Sequence, residues 1–100
     1  MSNSTHLGIG LVGLGIGQTH LEGYRGRGIE VAAICDVDEE RLRRSAERFG
    51  VRTVYTDVYA MIADPNIGVI DLAIQPWHRW PVVAAAAKAG KHRSSRNRSR

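Results

Sequence analysis

The stretch GLVGLGIGQTH, Gly10 to His20, carries four glycines, and its reading decides the fold. A G-x-G-x-x-G pattern fits Gly8-Ile9-Gly10-Leu11-Val12-Gly13 letter for letter. That match sits in the wrong place, because only seven residues precede it and a phosphate-binding turn must follow a strand and open a helix. Moved to the far side of the apolar run His6–Val12, the same logic selects Gly13-Leu14-Gly15-Ile16-Gly17. Gly13 then makes the tight turn, Gly15 lets the backbone come close to a pyrophosphate, and the amides at the helix start face the phosphates. The spacing is G-x-G-x-G, with Gln18 in the sixth position.

Working outward, His6–Val12 reads as a strand buried on both faces, as strands of parallel sheets are. Its glycines Gly8 and Gly10 are read as places where neighbouring elements approach closely. Gly17–Arg25 reads as a short helix stopped by Gly26 and Gly28, and Ile29–Cys35 as a second strand. Asp38 is a helix N-cap, with Glu39 and Glu40 in the first turn where the helix dipole favours acids. Leu42, Ala46 and Phe49 form the apolar stripe of that helix, Arg41 and Arg48 point outward, and Gly50 ends it. Arg52–Tyr55 is a brief third strand, Asp57–Ala63 a short helix, and Val69–Ile74 a fourth strand. After the loop Gln75–His78, Pro81 opens a last helix that runs to Ala89. Alternating strands and helices predict a doubly wound, Rossmann-like parallel sheet of about four strands, in the order 3-2-1-4.

Composition sets the outer limits. The chain has 100 residues, 43% of them hydrophobic and 24% charged, which is the balance of one globular domain. No apolar run reaches the length of a membrane span, and no secretory signal is evident. The single cysteine, Cys35, is read as a small buried hydrophobe, and cytoplasmic placement is the expectation. The net charge of +4 is unevenly spread: residues 1–90 carry nine Lys and Arg against ten Asp and Glu, whereas residues 91–100 carry five basic residues and no acid. No His/Cys/Asp/Glu cluster has metal-ligand spacing, so no metal is expected.

Asp36 strengthens the dinucleotide reading. It follows the second strand, 23 residues after Gly13, close to the roughly 20 expected for an acid that binds an adenosine ribose. Val37 comes next, with no Arg or Ser placed to receive a 2′-phosphate, so NAD is expected before NADP. His20 is read as a packed, hydrogen-bonded residue of the first helix. His78 lies in the loop after the fourth strand, where ligands of such sheets sit.

From Ile9 to His92 the chain resembles the N-terminal domain of the Gfo/Idh/MocA oxidoreductases (glucose–fructose oxidoreductase, inositol dehydrogenase and their relatives). The stretches that carry the resemblance are GLVGLGIGQTH, AAICDVDEERLRRSAERFGV, YTDVYAMIADPNIGVIDLAI and AAAAKAGKH. It implies an NAD(P)-binding domain over residues 1–92, with cofactor contacts from Gly13, Gly15, Ile16, Gly17 and Asp36 and, on the nicotinamide side, from Ile74, Gln75, Pro76 and His78. It also implies hydride transfer on a sugar, polyol or related hydroxyl substrate held by a C-terminal domain. Where the family continues into a fifth strand ending in Glu-Lys-Pro, whose lysine is catalytic, this chain reads RSSRNRSR. The expectation is therefore a sheet that stops before its fifth strand, no catalytic residue, and an inactive chain. Residues 93–100 are then a basic tail, and the bare sheet edge invites self-association. A non-catalytic dinucleotide module is the alternative; a basic-tailed nucleic-acid binder ranks below both.

Overall fold

The computed structural model describes residues 8–74 and 79–94. Nine elements alternate along the chain: β1 (Gly8–Val12), α1 (Gly17–Gly26), β2 (Val31–Cys35), α2 (Glu39–Phe49), β3 (Thr53–Tyr55), α3 (Val58–Ile62), β4 (Ile67–Leu72), α4 (Arg79–Lys88) and β5 (His92–Ser94). The strands form one sheet in the order β3-β2-β1-β4-β5, with every pairing parallel. The doubly wound architecture and the 3-2-1-4 order of the first four strands agree with the sequence reading.

The apolar strands are central because both their faces are covered. Leu11 of β1 lies opposite Ile34 of β2 and packs with Leu14, Leu21, Ile34 and Leu42 under α1 and α2. Its neighbour Val12 points the other way, into a second cluster with Ile70, Leu72, Met61 and Val82 under α3 and α4. The close approach expected at Gly10 is present: a Cβ there would meet Met61 Sδ at 2.8 Å. The α2 signals act as read, with the Asp38 carboxylate accepting from the amides of Glu40 and Arg41 and Gly50 closing the helix at φ 69°.

The main correction concerns the end of the chain. A fifth strand was not expected, yet His92–Ser94 pairs parallel with β4, His92 opposite Val69 and Ser94 opposite Asp71. Apolar content was the wrong criterion, since a sheet edge accepts any backbone that is brought alongside it. Gly90, at φ 76°, turns the chain out of α4, and the Lys91 ammonium donates to the carbonyl oxygens of Asp64 and Ile67. Those bonds fasten the turn beside the start of β4. The fold therefore runs past the expected boundary at residue 92, and residues 95–100 of the basic tail lie outside the described residues.

Two boundaries also move. β4 starts at Ile67 because Gly8 and Ile67 are already paired with one another. α4 starts at Arg79, which leaves Pro81 in the first turn, where a missing N–H costs nothing. No helix among the described residues is long and apolar enough to cross a membrane.

Leu11 is fully buried at the centre of the sheet. Leu11→Ala is expected to destabilise the chain by about 2–5 kcal/mol, read as a lowered urea midpoint with an unchanged slope.

Candidate dinucleotide site

The carboxyl ends of β1, β2 and β4 deliver Gly13, Asp36 and Ala73-Ile74 to one rim of the sheet. Gly13 leaves β1 at φ 94°, a conformation open to glycine, and its amide donates to the Cys35 carbonyl at 2.9 Å. A Cβ on Gly13 would strike the carbonyl oxygen of Ala73 and stand 2.8 Å from Ile74 Cγ2. Gly17 packs against Leu11, whose Cδ2 would lie 3.1 Å from an added Cβ. Only Gly15 faces outward, where the single neighbour of an added Cβ is an Arg41 guanidinium nitrogen at 3.3 Å. The three glycines thus divide the work: Gly13 makes the turn, Gly17 lets helix and strand touch, and Gly15 leaves the backbone open to a ligand. Ile16 is half-exposed at the N-cap of α1 and offers no side-chain acceptor to the first amides, which leaves that helix end suited to an anion.

Asp36 does more than the sequence reading assigned to it. At 8% exposure, its Oδ2 accepts from the Leu14 amide at 2.8 Å and its Oδ1 from the Asp38 amide at 2.8 Å. One carboxylate therefore fastens the glycine turn to the start of α2. Arg41 NH1 approaches Oδ2 at 3.5 Å. A carboxylate has about four lone-pair positions, so capacity remains for a ribose hydroxyl.

Arg41 is a correction. It was read as pointing outward, with no arginine near the ribose acid; the first turn of α2 instead carries it back over Asp36 and Gly15. The residue after Asp36 is Val37, whereas the helix brings position i+5 to the same place. Arg48 stays exposed as read, its guanidinium donating at the surface to Gln18 and Glu22 of α1. Gln18, in the sixth position of the glycine pattern, donates to Ser45 of α2 at 2.7 Å.

Ile74 lies beside Gly13, whereas Gln75, Pro76 and His78 lie outside the described residues. Cys35 is buried as expected, and its thiol is pushed up to about 12, first by burial and then by the Asp36 and Asp57 carboxylates. His20 is packed and hydrogen-bonded as read, its Nδ1 3.0 Å from Asp71 Oδ2. The sequence reading missed Asp71 itself, although an acid inside the apolar run VIDLAI was a signal. Among the described residues no group of three or more His, Cys, Asp or Glu could hold a metal ion.

These features define a nucleotide-binding domain of the doubly wound class. Residues 7–93 match the Gfo/Idh/MocA family, described as an oxidoreductase family with an NAD-binding Rossmann fold, and the chain belongs to that family. It is 39% identical over 83 residues to a D-apiose dehydrogenase from Paraburkholderia graminis, covering 80% of this chain and 22% of that protein. It is 38% identical over 86 residues to a myo-inositol 2-dehydrogenase from Thermotoga maritima, covering 84% and 26%. A levoglucosan dehydrogenase solved in complex with NADH superposes with a TM-score of 0.81 at 29% identity, over 89% of this chain and 27% of that one. The chain thus spans about a quarter of the length of the relatives it matches.

Two outcomes are expected. Asp36→Ala strands two amides and should cost about 1–3 kcal/mol of stability in urea unfolding even without a ligand. Cys35 should resist iodoacetamide at pH 8 in the folded chain and react at the rate of a free thiol once urea unfolds it.

Proposed function

We propose that this chain is the dinucleotide-binding unit of an oxidoreductase acting on a sugar, polyol or related hydroxyl compound, with NAD as cofactor. One observation carries the reading: the Gly13–Gly17 turn lies between β1 and α1, its Leu14 amide held by the Asp36 carboxylate and its open position, Gly15, facing only the Arg41 guanidinium. Gly15 and the first amides of α1 would hold the pyrophosphate, Asp36 the adenosine ribose, and Ile74 with Gln75, Pro76 and His78 the nicotinamide side. When bound, the cofactor supplies a hydride acceptor or donor; the chain's own residues bind and orient it. The substrate class rests on relatives named as apiose, inositol and levoglucosan dehydrogenases.

Arg41 supports a second cofactor reading. A guanidinium beside the ribose acid supplies the positive charge that a 2′-phosphate needs, so NADP competes with NAD at this site. If it serves that role, Arg41→Ala weakens NADP⁺ more than NAD⁺; an equal loss for both assigns Arg41 to the shared part of the cofactor.

The deciding measurement is a calorimetric titration of NAD⁺ and NADP⁺ into the chain and into Gly15→Val. The variant's Cβ meets only the end of a flexible arginine, and circular dichroism would check that the fold survives. Dinucleotide affinity should fall by tenfold or more, about 1.4 kcal/mol or greater. Absence of binding by the folded parent chain, or unchanged affinity in a folded Gly15→Val, would overturn the reading.

A further inference from the structure

The helix whose amino end faces the candidate phosphate site is only lightly held by apolar contact. Of the ten residues of α1, Gly17 and Leu21 alone are buried. Toward α2 it makes the Gln18–Ser45 bond and the Arg48–Glu22 pair, whose side chains are both 54% exposed, and exposed pairs contribute little. Toward β4 the contacts are of another kind. Asp71 is 1% exposed, and its Oδ2 accepts from the Tyr24 hydroxyl at 2.6 Å and faces His20 Nδ1 at 3.0 Å. A hydroxyl that close to a carboxylate makes a charge-assisted bond, stronger than its neutral counterpart, and burial strengthens it further.

The geometry of that grip is directional. His20 and Tyr24 stand one turn apart on the same face of α1, about 6 Å along its axis. Two such points meeting one oxygen fix the rotation of the helix about its axis and its slide along β4; a single apolar contact at Leu21 restrains both less. Asp71 also lies opposite Leu11 in the sheet, and Leu11 is where α1 begins its packing, since a Cβ added to Gly17 would stand 3.1 Å from Leu11 Cδ2. The grip is thus one strand away from the seat of Gly17, and it orients the first turn of α1 at the rim that holds Gly15.

Stability alone gives little reason for an acid here. Its neighbours in β4, Ile70 and Leu72, are apolar, and replacing a buried ionic group by a well-packed apolar one is often neutral or stabilising. What an apolar side chain cannot supply is direction. Hydrogen bonds have a preferred angle and length, whereas apolar contact holds nearly as well after a small rotation.

We propose that Asp71 is a positioning residue: through His20 and Tyr24 it sets the orientation of α1 in which the first amides of that helix meet a diphosphate. This rests on the dinucleotide reading above and deepens it. Two variants test it. Tyr24→Phe removes one hydroxyl. Asp71→Leu removes the acid and leaves His20 and Tyr24, both partly exposed and lining a cavity of about 310 Å³, able to reach water. In the cofactor-free chain, amide hydrogen exchange followed by NMR should become about tenfold faster in α1 and stay unchanged in α2. ADP should bind either variant about tenfold more weakly than the parent, the order of one charge-assisted bond. Adenosine, which has no phosphates, should bind parent and variants alike. An Asp71 that serves the fold alone would shift the urea midpoint and leave the ratio of the two affinities as it is. Unchanged exchange in α1, unchanged ADP affinity, or an equal loss for adenosine would each overturn the proposal. A parent chain that binds neither ADP nor NAD⁺ would overturn the dinucleotide reading and the proposal with it, a failure visible before any variant is compared.

Discussion

The Asp36 carboxylate joins the two turns on which the site depends. Through Oδ2 it holds the Leu14 amide in the turn between β1 and α1, and through Oδ1 the Asp38 amide at the start of α2. Asp38 then caps α2, whose first turn carries Arg41 back to the same carboxylate. These bonds lie in a nearly buried setting, where an unsatisfied partner is expensive, so the geometry of the glycine turn is set before any ligand arrives. The acid is a structural tie, and removing its side chain disturbs both turns whether or not a ligand is bound.

The sheet around that tie is covered unequally. α3 and α4 pack over Val12, Ile70 and Leu72, whereas α1 and α2 cover β1 and β2 and reach β4 through the polar contacts of His20 and Tyr24 with Asp71. Leu11 and Asp71 are direct neighbours across the sheet, yet one enters an apolar cluster and the other meets the polar ends of His20 and Tyr24. The border between those environments runs beneath α1, the helix whose amino end would meet the phosphates.

Much of this was legible in the sequence. The apolar runs marked β1, β2 and β4, because only buried strands of a parallel sheet tolerate so little alternation. Asp38 and Gly50 marked α2, because capping is a local matter of backbone groups and φ. The glycine turn and Asp36 could be matched by spacing alone. The errors share one cause, since each depended on what lay nearby in space. Arg41 was read as part of the solvated face of its own helix, and it turned to Asp36. Arg93 and Ser94 were read as tail because they are not apolar, and joined the sheet through their backbone.

By itself the sequence determined the order of elements, the 3-2-1-4 core of the sheet and the position of the glycine turn. All of these follow from periodicity, caps and spacing, which act between residues close in the chain. The tertiary structure decided which glycine is free to meet a ligand, that Asp36 ties the glycine turn to α2, that a fifth strand closes on β4, and that Asp71 is buried against His20 and Tyr24 of α1. Those outcomes rest on distances between residues 22 to 51 positions apart, such as Leu14 to Asp36 and His20 to Asp71. Local preference does not encode such distances; packing of the two layers of helices onto the sheet creates them.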